Sequence, residues 1–233
     1  MEKLIYLIRE RASRDGAELR TQVIDQLVPK LTAAGASQIS VHLCDDRIAI
    51  AGPMPCPGSE LPTRAAISMW IANHDDSAAL ELILSGLGER CDGYLVTESV
   101  YSEFGQRRGS TRDWAAGERS PGLVTLALVH RNPALDERTF REFWYGHQSP
   151  MSEQLQPRLR YVRNTVVHPV GSGAPPLDGI VVESWESEEI VSDIEAFHNG
   201  DLENLTVMLD SVDTVFDMSK LRSIAMSEYL FFS

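Results

Sequence analysis

Apolar and polar positions alternate along the chain in a way that predicts short strands separated by amphipathic helices. The first half reads as a strand, a helix, two strands, a helix and a strand: Leu4–Ile8, residues 19–31, Ser37–Cys44, Ala65–Ala72, residues 75–87 and Tyr94–Phe104. A loop rich in proline and glycine, Gly52 to Pro62, separates the second strand from the third. This order is typical of a ferredoxin-like α+β unit.

The second half repeats the same order after a polar, glycine-containing stretch that predicts a linker. Its elements are Leu123–Val129, residues 136–156, Arg160–Val167, Gly179–Trp185, residues 188–216 (mostly helical) and Arg222–Phe232. The pattern predicts two ferredoxin-like repeats, residues 1–104 and 122–233, joined by residues 105–121.

The two halves also correspond in detail at two strands. The stretch that ends in Trp70 parallels the stretch that ends in Trp185, and the strand around Glu98 parallels the strand around Glu228. Because these matches fall in the same order at corresponding elements, an internal duplication is the simplest interpretation.

Two strands are apolar on both faces and therefore need cover on both sides. Leu4–Ile8 and Leu123–Val129 show this pattern, and the helices of each half can shield only one face. The other face is best covered by the sheet of the other half, which predicts an α+β fold in which tandem ferredoxin-like repeats form one barrel within a single chain. The alternative is two separate domains on the linker.

Composition and charge exclude several classes of function. The chain of 233 residues has a formal net charge of −13, which repels phosphate backbones and anionic lipid, so neither nucleic acid nor a membrane is an expected partner. The three cysteines lack paired spacing and read as reduced, small apolar residues. No apolar stretch is long enough for a signal peptide or a membrane span, so we expect a cytoplasmic protein.

The stretch Thr139–Met151 carries the clearest chemical signal. At 100° per residue, Phe140, Trp144, His147 and Met151 share one stripe of the predicted helix, which directs His147 toward the sheet. A histidine among apolar side chains is a candidate for proton transfer. The same pattern also fits a hydrogen-bonded core histidine with no catalytic role.

This stretch, together with Leu159–Asn164 after it, resembles the EthD family. Later segments, Asp178 through Trp185 and Glu228 in the last strand, also resemble that family, and the similarity covers residues 122–232. The resemblance implies a dimeric α+β barrel. It also implies a role associated with ether degradation or with the cyclisation or dehydration of polyketides. The first half lacks the Trp and His of the motif, so we expect one working pocket, in the second half.

Polar residues on otherwise apolar strands are the candidates to complete a site around His147. We expect Trp144, Tyr161, Asn164, Glu183 and Glu228 to bind the ligand, with Tyr161 or Asn164 steadying a developing oxyanion. A buried carboxylate needs a partner, so Glu228 pairs with His147, pairs with an arginine such as Arg160 or Arg163, or lies exposed at a sheet edge.

No cofactor or metal is expected. The chain has no Gly-rich phosphate loop, and its six histidines lack the paired spacing of a metal site; a haem ligated by His147 alone is the one alternative that chemistry leaves open. We expect either a cofactor-independent lyase or isomerase acting on a small aromatic, lactone or polyketide-like compound, or a non-catalytic carrier or accessory protein of an oxidative pathway. A homodimer is a further expected assembly.

Overall fold

A computed structural model describes residues 1–11, 14–102, 114–171 and 173–231. The strands are β1 (Glu2–Arg9), β2 (Ser37–Leu43), β3 (Thr63–Ile71), β4 (Arg90–Ser102), β5 (Leu123–Val129), β6 (Arg160–Val170), β7 (Gly179–Trp185) and β8 (Arg222–Leu230). The α-helices are α1 (Gly16–Thr21), α2 (Val28–Ala33), α3 (Ala78–Leu84), α4 (Glu137–Phe143), α5 (Ser149–Leu155), α6 (Glu188–Ser192) and α7 (Leu202–Val215).

All eight strands form one closed antiparallel barrel in the order β1-β3-β2-β8-β5-β7-β6-β4. Pairing of β4 with β6 and of β2 with β8 joins the two halves, so the barrel closes within one chain rather than as two separate sheets. The first half contributes the strand order β4-β1-β3-β2 and the second half the matching order β8-β5-β7-β6. The predicted α+β barrel is confirmed.

Residues of each strand alternate between the barrel interior and the helix-covered outside. The interior is packed by apolar side chains from both halves, among them Leu7, Leu126, Val182 and Met226. On the outside, the helices of the first half pack on β1, β2 and β3 in a continuous apolar cluster. The two-sided burial of β1 and β5 is the reason that both strands read as unbroken apolar runs.

The helices of both halves contain a π-helical segment that the sequence pattern did not predict. Residues Gln22–Leu27 connect α1 to α2, and Trp144–Gln148 connect α4 to α5. Each is followed by a proline near the start of the next helix, Pro29 and Pro150. Proline cannot donate to the carbonyl four residues earlier and its ring clashes with that group, so the wider i→i+5 turn relieves both problems.

Two predictions need correction in detail. The helix expected over residues 188–216 is broken into α6, a 3₁₀ turn (Ala196–His198) and α7. The predicted match of Trp70 with Trp185 is wrong by one residue. When Glu98 of β4 is aligned with Glu228 of β8, Lys3 of β1 corresponds to Val124 of β5. Lys3 pairs with Trp70 and Val124 pairs with Ser184, so Trp70 corresponds to Ser184 rather than to Trp185. A shift of one residue reverses the face of a strand.

Part of the predicted linker is attached to the barrel. Residues 105–113, with Phe104 of the predicted fourth strand, lie outside the described residues, but Arg119 forms an isolated bridge with Tyr229. The backbone N–H of Ser120 donates to the carbonyl of Glu228 at 2.8 Å. The described part of this stretch therefore follows the edge of β8, and the boundaries of the two repeats stay a prediction.

Among the helices that the structure describes, none has the length and apolar character needed to cross a membrane. Since the barrel closes without a second chain, the predicted homodimer is not required by the fold and stays a prediction.

Candidate functional site

A cavity of about 530 Å³ lies outside the barrel, between the helices of the second half and the sheet. Helices α5, α6 and α7 contribute its walls, and the outer faces of β5, β6 and β7 contribute its floor. The exposed side chains of Ile194 and Leu209 also line the cavity, so it opens to the surface there. Its volume lies in the range of about 300–1,000 Å³ that is usual for small-molecule sites.

The floor changes from polar to apolar along the strands. Tyr161 lies opposite Glu183 in the register of β6 and β7, while Val181 lies opposite Ala127 two positions away. Residues two apart share a strand face, so both rows face the cavity. Phe216 lines the apolar side. The cavity therefore has an apolar body and one polar side.

A buried ion pair organises the polar side. Nη1 of Arg158 donates to Glu183 at 2.7 Å, and its Nη2 donates to Ser152 at 2.9 Å. The Arg158 guanidinium stacks over the Tyr161 ring, 4.3 Å from its centre. Burial raises the pKa of the Tyr161 phenol, so this hydroxyl stays protonated at neutral pH.

Two buried polar side chains line the cavity with hydrogen-bonding capacity left over. Gln156 is 8% exposed, and within the described residues its side-chain amide has no partner. His198 is 4% exposed, and its Nδ1 donates to the carbonyl of Ile194 at 2.7 Å. Since a carbonyl only accepts, this bond fixes the proton on Nδ1 and leaves Nε2 as an acceptor; no described group donates to it.

His198 belongs to the polar side of the cavity. Its neighbour Phe197 stacks on Trp185 with 4.4 Å between ring centres. Trp185 lies two positions beyond Glu183 on the same face of β7. Asn199 ties the same turn to the carbonyl of Gln154 in α5, at 3.0 Å. The turn therefore places His198 near the Glu183 end rather than the Phe216 end.

The predicted orientation of His147 is wrong. Its side chain is exposed and contacts the ring of Phe143, while Trp144 is fully buried as predicted. The backbone N–H of Ser149 donates to the carbonyl of Trp144, the i→i+5 bond of a π-turn. This extra residue buries Gln148, Ser149 and Ser152 in place of His147, since helical spacing assumes 3.6 residues per turn.

Trp144 is part of the core beside the cavity rather than its lining. The indole N–H donates to the Tyr161 hydroxyl at 3.3 Å, and the ring packs against Phe140 and Phe216. Gly179 makes room for it, because a Cβ at that position would lie 2.4 Å from the indole ring. The Trp of the helix motif and the Gly at the start of β7 are thus one structural unit.

We predict that Gly179→Ala lowers the free energy of unfolding by about 1–3 kcal/mol, the usual cost of overpacking a filled core. Urea unfolding checks this value. Gly146→Ala is the matched control, because a Cβ there meets nothing within 4 Å. Equal stability of the two variants would show that Trp144 does not require the glycine.

Asn164 and Glu228 lie on the other side of the sheet, inside the barrel, and the structure does not bring them together with Trp144, Tyr161 and Glu183. Asn164 accepts from Lys3 at 2.9 Å and donates to the carbonyl of Ile180 at 3.0 Å. Glu228 accepts from Arg160, from Nε2 of His42 at 3.2 Å and from Ser120 at 2.9 Å. Of the alternatives for Glu228, pairing with Arg160 is confirmed.

The charges of the side chains clustered inside the barrel balance one another. Lys3 pairs with Glu98 as Arg160 pairs with Glu228, so two cations meet two carboxylates. Burial opposes ionisation of Glu228, but the Arg160 guanidinium and the His42 hydrogen bond hold the pKa of this carboxyl well below its usual range. The space beside these groups measures about 70 Å³. That is far below the range of about 300–1,000 Å³ that is usual for small-molecule sites.

The first half has no equivalent of the second-half cavity among the described residues. The corresponding space is filled by a continuous cluster that includes Leu19, Val23, Leu31 and Met69. The first half nevertheless contributes to the site, because its loop residues Ile50–Met54 cross to β8 and line the cavity.

The sequence pattern did not predict Gln156, Arg158 and His198 as residues of the site. Arg158 precedes β6 and Gln156 directly follows α5, so neither belonged to a periodic stripe. His198 lies in a 3₁₀ turn inside a segment that reads as one helix. No signal in the sequence distinguishes it from the other five histidines.

Comparison with solved structures identifies the architecture. An anthrone oxidase-like protein matches with a TM-score of 0.58 and 10% identity, covering 98% of this chain and 92% of its own. The fold is that of the dimeric α+β barrels. A protein described as a monooxygenase of Lactobacillus acidophilus NCFM matches at 0.50 with 11% identity, covering 99% and 95% of the two chains. A protein described as a monooxygenase of Fusobacterium nucleatum subsp. nucleatum matches at 0.50 with 7% identity, covering 99% and 92%.

No family model and no curated protein matches the chain. The EthD resemblance of the second half therefore stays a prediction. Within the described residues, no group of three or more His, Cys, Asp and Glu side chains is arranged to hold a metal ion.

Proposed function

We propose that this chain binds a small aromatic or polyketide-like compound, bearing a carbonyl or hydroxyl oxygen, in the second-half cavity. The observation that carries the proposal is the pair of buried polar side chains, Gln156 and His198, whose hydrogen-bonding capacity is unused within an otherwise largely apolar cavity. Side-chain polar atoms that face such a cavity without a protein partner can bond a ligand, as the few polar groups of a small-molecule site do. A ligand oxygen would satisfy the amide of Gln156, and a ligand hydroxyl would satisfy Nε2 of His198.

The apolar body of the cavity selects the rest of the ligand. Val181, Ala127, Val212 and Phe216 surround this part with aliphatic and aromatic surface. Burying a ring system here gains about 25 cal/mol for each Å² removed from water. A ring compound with oxygen at one end fits this distribution better than a sugar or a phosphate ester.

We also propose that the two halves are tandem ferredoxin-like repeats and that the second is EthD-like. Equivalent interior positions support the duplication, because Glu98 lies opposite Asn164 just as Glu228 lies opposite His42. The two π-segments, each followed by a proline, support it independently. The coupling of Trp144 with Gly179 supports the EthD resemblance, since both belong to the motifs that carry it.

Anthrone is a suitable probe, because one structural neighbour is called anthrone oxidase-like and anthrone is a tricyclic ring ketone. We expect saturable binding with one site per chain, measured by quenching of tryptophan fluorescence. We expect 9,10-dihydroanthracene, which has the same rings but no oxygen, to bind about fivefold more weakly, since one hydrogen bond contributes about 1 kcal/mol. Equal affinity for both compounds, or no saturable binding of either, would contradict the proposal.

The alternative function is a non-catalytic carrier. It is favoured by the exposure of His147, which removes the predicted catalyst from the pocket. A carrier releases its ligand chemically unchanged and does not accelerate hydrogen exchange in it. Measuring hydrogen exchange in the bound probe therefore separates the two functions.

A further inference from the structure

We propose that His198 is the catalytic base of the cavity and removes a proton from an acidic C–H of the bound ring ketone. This proposal rests on the proposed function, because it needs a ligand of that class in the cavity. It goes beyond that function by assigning a reaction step and the residue that performs it.

Hydrogen bonding fixes the tautomer of His198. The Nδ1–H is committed to the carbonyl of Ile194, four residues earlier, at 2.7 Å. The ring orientation is held further by Phe197, whose ring lies edge-on to it at 5.2 Å between centres. A fixed Nδ1–H leaves Nε2 with a free lone pair, which is the form of imidazole that accepts protons.

The surroundings of His198 hold it in place at the cavity. The backbone carbonyl of His198 accepts from Asn204 at 2.9 Å, so the turn is held from both sides. The ring is almost wholly buried and lines the ligand cavity. A base that its turn holds in position needs little reorganisation to act. His147, by contrast, is exposed to solvent on the far side of its helix.

The proton-transfer step balances without a cofactor. The C–H bond of the ketone breaks, its proton goes to Nε2 of His198, and its electron pair moves through the ring system to the carbonyl oxygen. The side-chain amide of Gln156, which has a spare N–H, donates to the resulting enolate oxygen. Return of the proton restores the ketone, so the step is reversible and is visible as isotope exchange.

The test follows exchange of the C10 hydrogens of anthrone in D₂O without oxygen, by proton NMR, with binding measured in parallel by tryptophan fluorescence. His198→Asn is the informative variant, because the Asn amide N–H takes the place of Nδ1–H toward Ile194 while the base is lost. His147→Asn is the matched control. We expect His198→Asn to lose at least ~100-fold of the protein-dependent exchange rate, as for loss of a general base, with binding within about tenfold and the melting temperature unchanged. We expect His147→Asn to match the wild type.

The outcomes separate the two proposals. Anthrone that binds to the wild type without faster exchange, or equal exchange in His198→Asn and wild type, overturns the assignment of His198 while the binding function stands. Loss of exchange in His147→Asn alone also overturns it. Absence of binding to the wild type overturns the proposed function and the base with it. If His198→Asn lowers the melting temperature, exchange and binding are compared between His198→Gln and the wild type instead. This variant retains an amide near the position of Nε2 but is not a base.

Discussion

Val212→Trp is expected to abolish ligand binding while leaving the fold intact. Val212 lies on α7 and faces the apolar part of the cavity, where its side chain is only partly buried. An indole in its place occupies the volume that the ring system of the ligand needs. We expect the dissociation constant for anthrone to rise at least about 100-fold, equivalent to ~2.7 kcal/mol. Fluorescence titration measures the affinity and thermal unfolding measures the stability.

Val207→Trp is the matched control for this prediction. It makes the same substitution on the same helix, but Val207 is 48% exposed and does not line the cavity. We expect its affinity to stay within about twofold of the wild type, since surface changes away from a site shift energies by only ~0.5 kcal/mol. Parallel weakening in both variants would show that the ligand binds elsewhere or that α7 acts through stability alone.

Glu228→Ala is expected to be the most destabilising single substitution in the barrel interior. Glu228 is 1% exposed and accepts from Arg160, His42 and Ser120. Its removal leaves a buried guanidinium without its carboxylate, which costs about 3–5 kcal/mol. That is a large share of the roughly 5–15 kcal/mol by which domains are stable. Urea unfolding measures the loss. Glu142→Gln, which changes an exposed pair with Arg138, serves as the control and is expected to cost less than about 1 kcal/mol.

The same carboxylate predicts how stability depends on pH. The pKa of Glu228 is lower in the folded chain than in the unfolded chain, because Arg160 and His42 outweigh the effect of burial. Its ionised form therefore contributes stability above the unfolded-state pKa of about 4.3. This contribution is lost as the pH falls through and below that value. The stability difference between wild type and Glu228→Gln is expected to shrink from pH 7 toward pH 3. A difference that stays constant over this range would show that Glu228 is not ionised in the fold.

The strands were predictable from the sequence because burial imposes a strict period on them. β5 and β7 have the predicted bounds, β1 begins two residues earlier and ends one residue later than predicted, and β2 ends one residue earlier. The two-sided apolar character of β1 and β5 was sufficient to predict a closed barrel, since only a second sheet could cover the face that the helices left open.

The candidate site was predictable only in part, for reasons of geometry. Tyr161 and Glu183 reach the cavity as expected. Asn164 could not join them, because residues three apart on a strand point to opposite faces. His147 turned outward because a π-turn before Pro150 adds one residue to the helical repeat. The position of His198 depends on an irregular turn and on a backbone hydrogen bond, neither of which produces a periodic pattern in the sequence.

The predicted polar residues are divided between the two sides of the sheet, and the two groups have different surroundings. Lys3, Glu98, Asn164, Arg160 and Glu228 form a paired network that holds the two halves of the barrel together. The second-half cavity outside the barrel has room for a ligand, whereas the space inside the barrel beside this network does not. Stability and ligand binding are therefore expected to respond to different substitutions.

A crystal structure of the chain with bound anthrone tests the central claim most directly. We expect electron density for the rings between α7 and the outer faces of β5 and β7, with the ligand oxygen near Gln156 or His198. Ring density inside the barrel beside Asn164 and Glu228, or on the outer surface with the cavity unchanged, would contradict it.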